Sequence, residues 1–254
     1  MMLALDIGNT NVKTGTFLND SLSDFRIFSD ENSFYSYLGT NPPDKVAISS
    51  VVPSKTKKLL QVLGLKFKIK PFIIKYDSRF NLKLGCENPN TLGVDRICAA
   101  EGAFHLFRKS EHYKSYTENV FILAIDFGTA STINIIKYPG EFIGGLIAPG
   151  ISLMFESLKD KTAQLPLVKV DDYKDLIANN TNSSIASGVV TSVIGMIEKT
   201  ITHLKKDKSA KEVFVYITGG NANKIMPHLN LEFTYEGGLV LYGINALYNL
   251  NKIL

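Results

Sequence analysis

Leu3-Ala4-Leu5-Asp6-Ile7-Gly8 returns without a gap as Leu123-Ala124-Ile125-Asp126-Phe127-Gly128. Apolar residues without polar alternation read as a strand buried on both faces. Each copy ends on an aspartate, a glycine and a run of short hydroxyl or amide side chains. A tight turn explains the glycine, but it does not explain why the same aspartate closes the first strand of two separate halves. If the halves face one another across a cleft, both carboxylates address one ligand.

The elements around the two copies repeat as well. Strands are expected at Leu3 to Ile7, Val12 to Leu18 and Phe25 to Phe28, then a helix over DENSFYSYL and a strand from Val46 to Ser50. A helix follows from Pro53, whose missing amide hydrogen suits a first turn. After it come a strand at Phe72 to Ile74 and a helix from Val94 to Phe107. The first half therefore reads β-β-β-α-β-α-β-α. From Val120 the pattern restarts, with strands at Phe121 to Asp126, Ser131 to Lys137 and Glu141 to Ile147, then helices. Strands at Val213 to Ile217 and Glu232 to Tyr235 and a last helix from Leu239 close it.

Composition narrows the classes. The chain has 254 residues, 45% of them apolar, enough for a sizeable core without staples. A net charge of +4, with lysine and arginine scattered among acids, gives no case for nucleic acid. Cys86 and Cys98 are the only cysteines and lie at no metal-ligand spacing, which fits a reducing cytoplasm. The four histidines fall in no ligand or triad motif. No uninterrupted apolar run reaches the roughly 18 residues of a membrane span, so a soluble protein with no membrane partner is expected.

Gly8 and Gly128 lack Cβ, so their turns can bring backbone amides close to anionic oxygens. An aspartate beside phosphate is tolerable when a cation stands between, and paired Asp6 and Asp126 imply a magnesium ion held largely through its waters. The ligand class is ATP or something like it. Neither a Walker loop nor a complete GxGxxG fingerprint occurs. Lys13 on the second strand could reach a transferred phosphoryl group, or be an exposed strand lysine.

DIGNTNVK, SSVVP, NPNTLGVDR, DFGTAST, GGLIAPGI, NTNSSIASG and ITGGNA, in this order over nearly the whole chain, resemble the type III pantothenate kinases. That family belongs to the actin, sugar kinase and heat-shock ATPase superfamily. The resemblance implies two duplicated α/β domains of the ribonuclease H-like kind facing across a cleft, 1–117 carrying the first phosphate turn and GVDR, 118–254 the second phosphate turn and an adenosine turn. It implies ATP-dependent phosphorylation of the 4′-hydroxyl of pantothenate, the first step of coenzyme A biosynthesis, by a cytoplasmic homodimer that uses Mg2+ and a monovalent cation, K+ or NH4+.

By resemblance, Asp6, Gly8, Asn9, Thr10 and Lys13 form the first phosphate turn, with Asp6 addressing the metal. Asp126, Gly128, Thr129 and Thr132 form the second, with Asp126 near the cation sites. Gly93, Asp95 and Arg96 match the family's GxDR motif, in which the aspartate is the general base and the arginine holds the acceptor; Asp95 and Arg96 could equally pair at a helix N-terminus. The family commonly has a substrate-contacting tyrosine nine residues before that aspartate, where this chain has Cys86, a smaller side chain and a poor donor. Gly144, Gly145, Pro149 and Gly150 match a glycine-rich segment along the acceptor pocket, or serve backbone geometry alone. Thr181 matches a threonine that reaches the neighbouring subunit's substrate, or caps a helix expected from about Ser184 to Leu204. Thr218, Gly219 and Gly220 match the adenosine turn. Another kinase or a phosphatase of the superfamily would share the phosphate turns but not GVDR. A non-catalytic accessory factor for transcription would have eroded Asp6, Asp95, Arg96 and Asp126, all of which are present.

Overall fold

The computed structural model describes residues 1–18, 20–116 and 118–252. Its first half runs β1 (Met2–Ile7), β2 (Val12–Leu18), β3 (Ser21–Phe28), α1 (Glu31–Thr40), β4 (Lys45–Ser50), α2 (Pro53–Lys66), β5 (Phe72–Ile73), β6 (Lys83–Leu84) and α3 (Val94–Lys109). The second runs β7 (Val120–Phe127), β8 (Ala130–Lys137), β9 (Glu141–Pro149), α4 (Ile151–Lys161), α5 (Thr181–Asp207), β10 (Glu212–Thr218), α6 (Ala222–Ile225), β11 (Thr234–Tyr235) and α7 (Leu239–Asn251).

The duplication read from twelve residues extends to topology. The first sheet has the order β3-β2-β1-β4-β5, and the second contains β9-β8-β7-β10-β11, the same arrangement one repeat later. In both, the first strand pairs antiparallel with the second and parallel with the fourth. The aspartates are therefore flanked alike. Asp6 stands between Lys13 and Ser49, and Asp126 between Thr132 and Thr218.

Contacts divide the chain into two compact units, one of residues 1–116, 139–144 and 238–254, the other of residues 117–138 and 145–237. This differs from the sequence boundary expected at 117, because the C-terminal helix and the start of β9 group with the first unit. The reason lies in packing. A Cβ on Gly102 would collide with the Leu239 carbonyl and one on Gly243 with the Cys98 carbonyl, so α3 and α7 meet backbone to backbone. The start of β9 joins the same unit through β6, whose Lys83 and Leu84 pair parallel with Glu141 and Phe142.

In the first unit, Leu3, Leu5 and Ile7 of β1 pack with Phe34 and Leu38 of α1 and Leu59 and Leu63 of α2. The alternate residues Met2 and Ala4 are also buried, and α7 contacts β1 and β4. A strand covered on both faces has no polar side, which explains its unbroken apolar run. Asp30 caps α1 by accepting from Asn32 N at 2.9 Å and Ser33 N at 2.8 Å. Pro53 opens α2 as its sequence suggests.

The second repeat departs from β-β-β-α-β-α-β-α in carrying two helices, α4 and α5, between its third and fourth strands. Among the described residues α5 is the helix long and apolar enough to cross a membrane by length and composition, with a mean hydropathy of 1.2 over its best window, 39% of which is buried. Its buried residues Ile185, Val189, Val193 and Ile197 recur every fourth position, the stripe of a helix with one core-facing side. β3 is longer than expected because its first half, Ser21 to Asp24, holds only one apolar residue, Leu22, and so offers no apolar run to read.

Candidate active site

Each aspartate ends a central strand of its own sheet, and the turn after it is built differently. In the first unit Gly8 N donates to Asn11 O at 3.0 Å, closing a turn in which Asn9 and Thr10 are exposed. Beneath it, the Lys55 ammonium on α2 donates to Asn9 O at 2.9 Å and Gly8 O at 3.3 Å. Sequence reading passed over Lys55, which looks like any solvated helix lysine. Lys13 lies directly across the hairpin from Asp6, so the two side chains share one face.

In the second unit the turn is one residue shorter, with Gly128 N donating to Ala130 O at 3.1 Å. Two motif segments brace it. Gly150 N donates to Thr129 O at 2.9 Å, and a Cβ there would overlap the Gly128 and Thr129 carbonyls. Gly219 has a φ of +104°, and a Cβ on it would sit 2.5 Å from Asp126 Oδ1 and from Phe127 N, so no other residue fits. Asn221 N donates to Phe127 O at 3.0 Å and its Nδ2 to Gly128 O at 3.3 Å. Thr132 on β8 and Thr218 on β10 flank Asp126, and Thr218 Oγ1 donates to Gly237 O at 3.2 Å. DFGTAST, APG and TGGN thus converge on one carboxylate whose Oδ1 is shielded from solvent.

GVDR forms the start of α3. Gly93 is the N-cap, and Asp95 Oδ1 accepts from Arg96 N at 2.9 Å in the first turn, where the helix dipole favours a carboxylate. Burial holds the Arg96 guanidinium below its usual range, opposed by the charge of the neighbouring Asp95. Its Cζ lies 5.9 Å from the Phe142 ring centre. One turn on, burial pushes the Cys98 thiol well up, and the charges of Asp6, Glu101 and Asp95 add to it. Cys86 is half-exposed and reduced.

The structure brings Asp6, Gly8, Asn9, Thr10, Lys13, Cys86, Gly93, Asp95 and Arg96 into the first unit. Asp126, Gly128, Thr129, Thr132, Thr218, Gly219 and Gly220 fall in the second. Thr181 begins α5 and does not cap it, since Asn180 Oδ1 accepts from Ser183 N at 3.0 Å. It lines a groove of about 880 Å³ with Met154, Leu158, Leu165 and Val189, none of which belongs to the Asp126 turn.

Among the described residues no group of three or more His, Cys, Asp or Glu could hold a metal ion. Magnesium, a hard cation, takes one or two carboxylates and completes its shell with water and phosphate oxygens. The donor sets of both turns, one carboxylate with neighbouring hydroxyls and amides, are of that kind.

A family model described as Type III pantothenate kinase matches residues 2–203. A type III pantothenate kinase from Sulfurihydrogenibium sp. (strain YO3AOP1) is 34% identical over 262 aligned positions, covering 97% of this chain and 99% of the relative. Among solved structures, a conserved protein from Campylobacter jejuni described as a candidate Baf family transcriptional activator is 20% identical, with a TM-score of 0.63 over 99% of this chain and 100% of that one. A ParM filament protein from Clostridium botulinum is 10% identical, with a TM-score of 0.51 over 100% of this chain and 99% of that one. Both structural likenesses bear on the fold alone, an α/β architecture with two sheets.

Proposed function

The chain belongs to the type III pantothenate kinase family, and from that premise we propose how its residues transfer the γ-phosphoryl group of ATP to the 4′-hydroxyl of pantothenate, the first step of coenzyme A biosynthesis. Asp95 is the general base. It orients the acceptor hydroxyl and takes its proton as the oxygen attacks phosphorus and ADP departs. Arg96, opposite in charge to the pantothenate carboxylate, holds the acceptor, with Gly93 and Cys86 beside it. Carrying this assignment is one observation: Asp95 stands in the first turn of α3, in the same compact unit as the Asp6 turn.

Asp6, Gly8, Asn9, Thr10 and Lys13 are assigned to the phosphates, Lys13 offsetting charge on the group in transfer. Gly128, Thr129 and Thr132 are assigned to ATP phosphates, and Thr218, Gly219 and Gly220 to the adenosine, which the open space on the Cβ side of Gly220 lets approach the backbone. In each unit the strand-end carboxylate, Asp6 or Asp126, is the residue that would hold Mg2+, which would neutralise phosphate charge. A monovalent cation, K+ or NH4+, is expected near Asp126. Mass spectrometry of a reaction with ATP and pantothenate should find pantothenate plus one phosphoryl group, formed faster in potassium than in sodium. No such product would overturn the reading.

We further propose a cytoplasmic homodimer whose second copy covers the α4–α5 groove. Supporting it are exposed large apolar side chains next in sequence to the groove's lining residues Met154 and Ala178: Leu153 at 44%, Leu176 at 56% and Ile177 at 84%. Thr181, freed from capping by Asn180, would reach the partner's pantothenate. Thr181→Ala should raise the KM for pantothenate and leave that for ATP unchanged.

A further inference from the structure

Cys86 enters the proposed acceptor site from a segment with little secondary structure of its own, residues 79–86. Its anchorage is a buried acid. Glu101 on α3 is 1% exposed, and its Oε1 accepts from Asn81 N at 2.8 Å and Leu82 N at 3.0 Å while its Oε2 accepts from Asn81 Nδ2 at 2.9 Å. Burial raises the Glu101 carboxyl above its usual range, and the three donors pull it back. An acid is costly in such a place unless donors gather around it, and here every donor comes from two consecutive residues.

A second clamp holds the same segment from α7. Arg79 N donates to Asn251 Oδ1 at 3.0 Å and Asn251 Nδ2 returns to Arg79 O at 2.9 Å. The two helices that carry these clamps are themselves locked at Gly102 and Gly243. Beyond the clamps the segment becomes β6, with Lys83 N donating to Gly140 O and Gly85 N to Phe142 O, both at 2.9 Å. Phe142 in turn lies beneath the Arg96 guanidinium. The chain of contacts thus starts at Glu101 and ends at Cys86 and Arg96, two acceptor-site residues, with Glu101 and Arg96 on one helix.

We propose that Glu101 is a positioning residue for the acceptor site: by fixing residues 81–82 to α3 it sets the register of β6 and hence the spacing of Cys86, Phe142 and Arg96 around the acceptor. This rests on the reading of Arg96 and Asp95 given above. Loss of the grip loosens the acceptor side alone, since the phosphate turns are built from other strands.

The test is steady-state kinetics with hydrogen exchange. Glu101→Ala should raise the KM for pantothenate on the order of tenfold and leave the KM for ATP within about twofold. Glu101→Gln, which keeps one acceptor, should fall between it and wild type. Asn251→Ala, which cuts the other clamp, should shift the same KM. Amides 81 and 82 should exchange slowly in wild type and faster in each Glu101 variant. If Glu101→Ala does not fold, Glu101→Gln and Asn81→Ala carry the test. Folded variants with lower thermal stability but wild-type pantothenate KM, or an equal rise in both KM values, would overturn the proposal. Wild-type protein without pantothenate-dependent turnover would instead overturn the underlying reading, and the exchange of residues 81–82 would still decide whether Glu101 holds them.

Discussion

The two aspartate turns begin from nearly the same six residues and are held in place by different means. The Asp6 turn is four residues long, exposed at its tip and supported by one flexible lysine, with a second lysine across the hairpin. The Asp126 turn is three residues long, flanked by threonines and wedged by the backbone of Gly150, Gly219 and Asn221. Duplication preserved the strand, the acid and the glycine, and then one copy collected positive charge while the other collected close packing. The first is suited to a group that changes charge during reaction, the second to holding a ligand part whose shape stays constant.

The contrast predicts which substitutions break chemistry and which break the fold. Asp6→Asn should lower turnover by about 10³-fold with an unchanged melting temperature, and excess magnesium should restore part of the loss; a variant with wild-type turnover would remove Asp6 from the site. Gly219→Ala should cost about 3 kcal/mol in urea unfolding, because it combines a left-handed φ with overlap against Phe127. Its counterpart Gly8→Ala, whose added Cβ would meet only Asn11 O at 3.4 Å, should cost no more than about 1 kcal/mol. Equal costs would erase the distinction between the turns. Lys55→Ala should cost about 1 kcal/mol and raise the KM for ATP, while that for pantothenate stays constant.

A smaller effect concerns pH. Because burial raises Glu101 above the usual 4.5, its linkage contribution is complete below that value and is lost as pH rises through the higher folded value. The stability of wild type relative to Glu101→Gln, measured by urea unfolding, should therefore fall with rising pH across that window. A difference that grows with pH would contradict the sign.

Legibility in the sequence followed burial. β1 and β7 are covered on both faces, so their composition is unambiguous, and the aspartates that end them stood out against it. GVDR was readable only through the family resemblance, since an acid and an arginine at a helix start suit a structural pair equally well. The placement of α7 was not readable, since its partner α3 lies more than a hundred residues earlier and the contact depends on two glycines, Gly102 and Gly243, with no pattern of their own. Thr181 and Asn180 are both good capping residues, and local propensity did not rank them. Lys55 and Glu101 act through long side chains on backbone elsewhere, which leaves no periodic mark.

The central claim is that Asp95 takes a proton from pantothenate at a site built on the first of these turns. Coupled measurement of ADP release by purified protein, with and without pantothenate, addresses it directly. Wild type should release ADP only with pantothenate present, and Asp95→Asn should lose about 10³-fold or more in kcat while melting at the wild-type temperature. Full turnover in Asp95→Asn, or ADP release indifferent to pantothenate, would contradict the account.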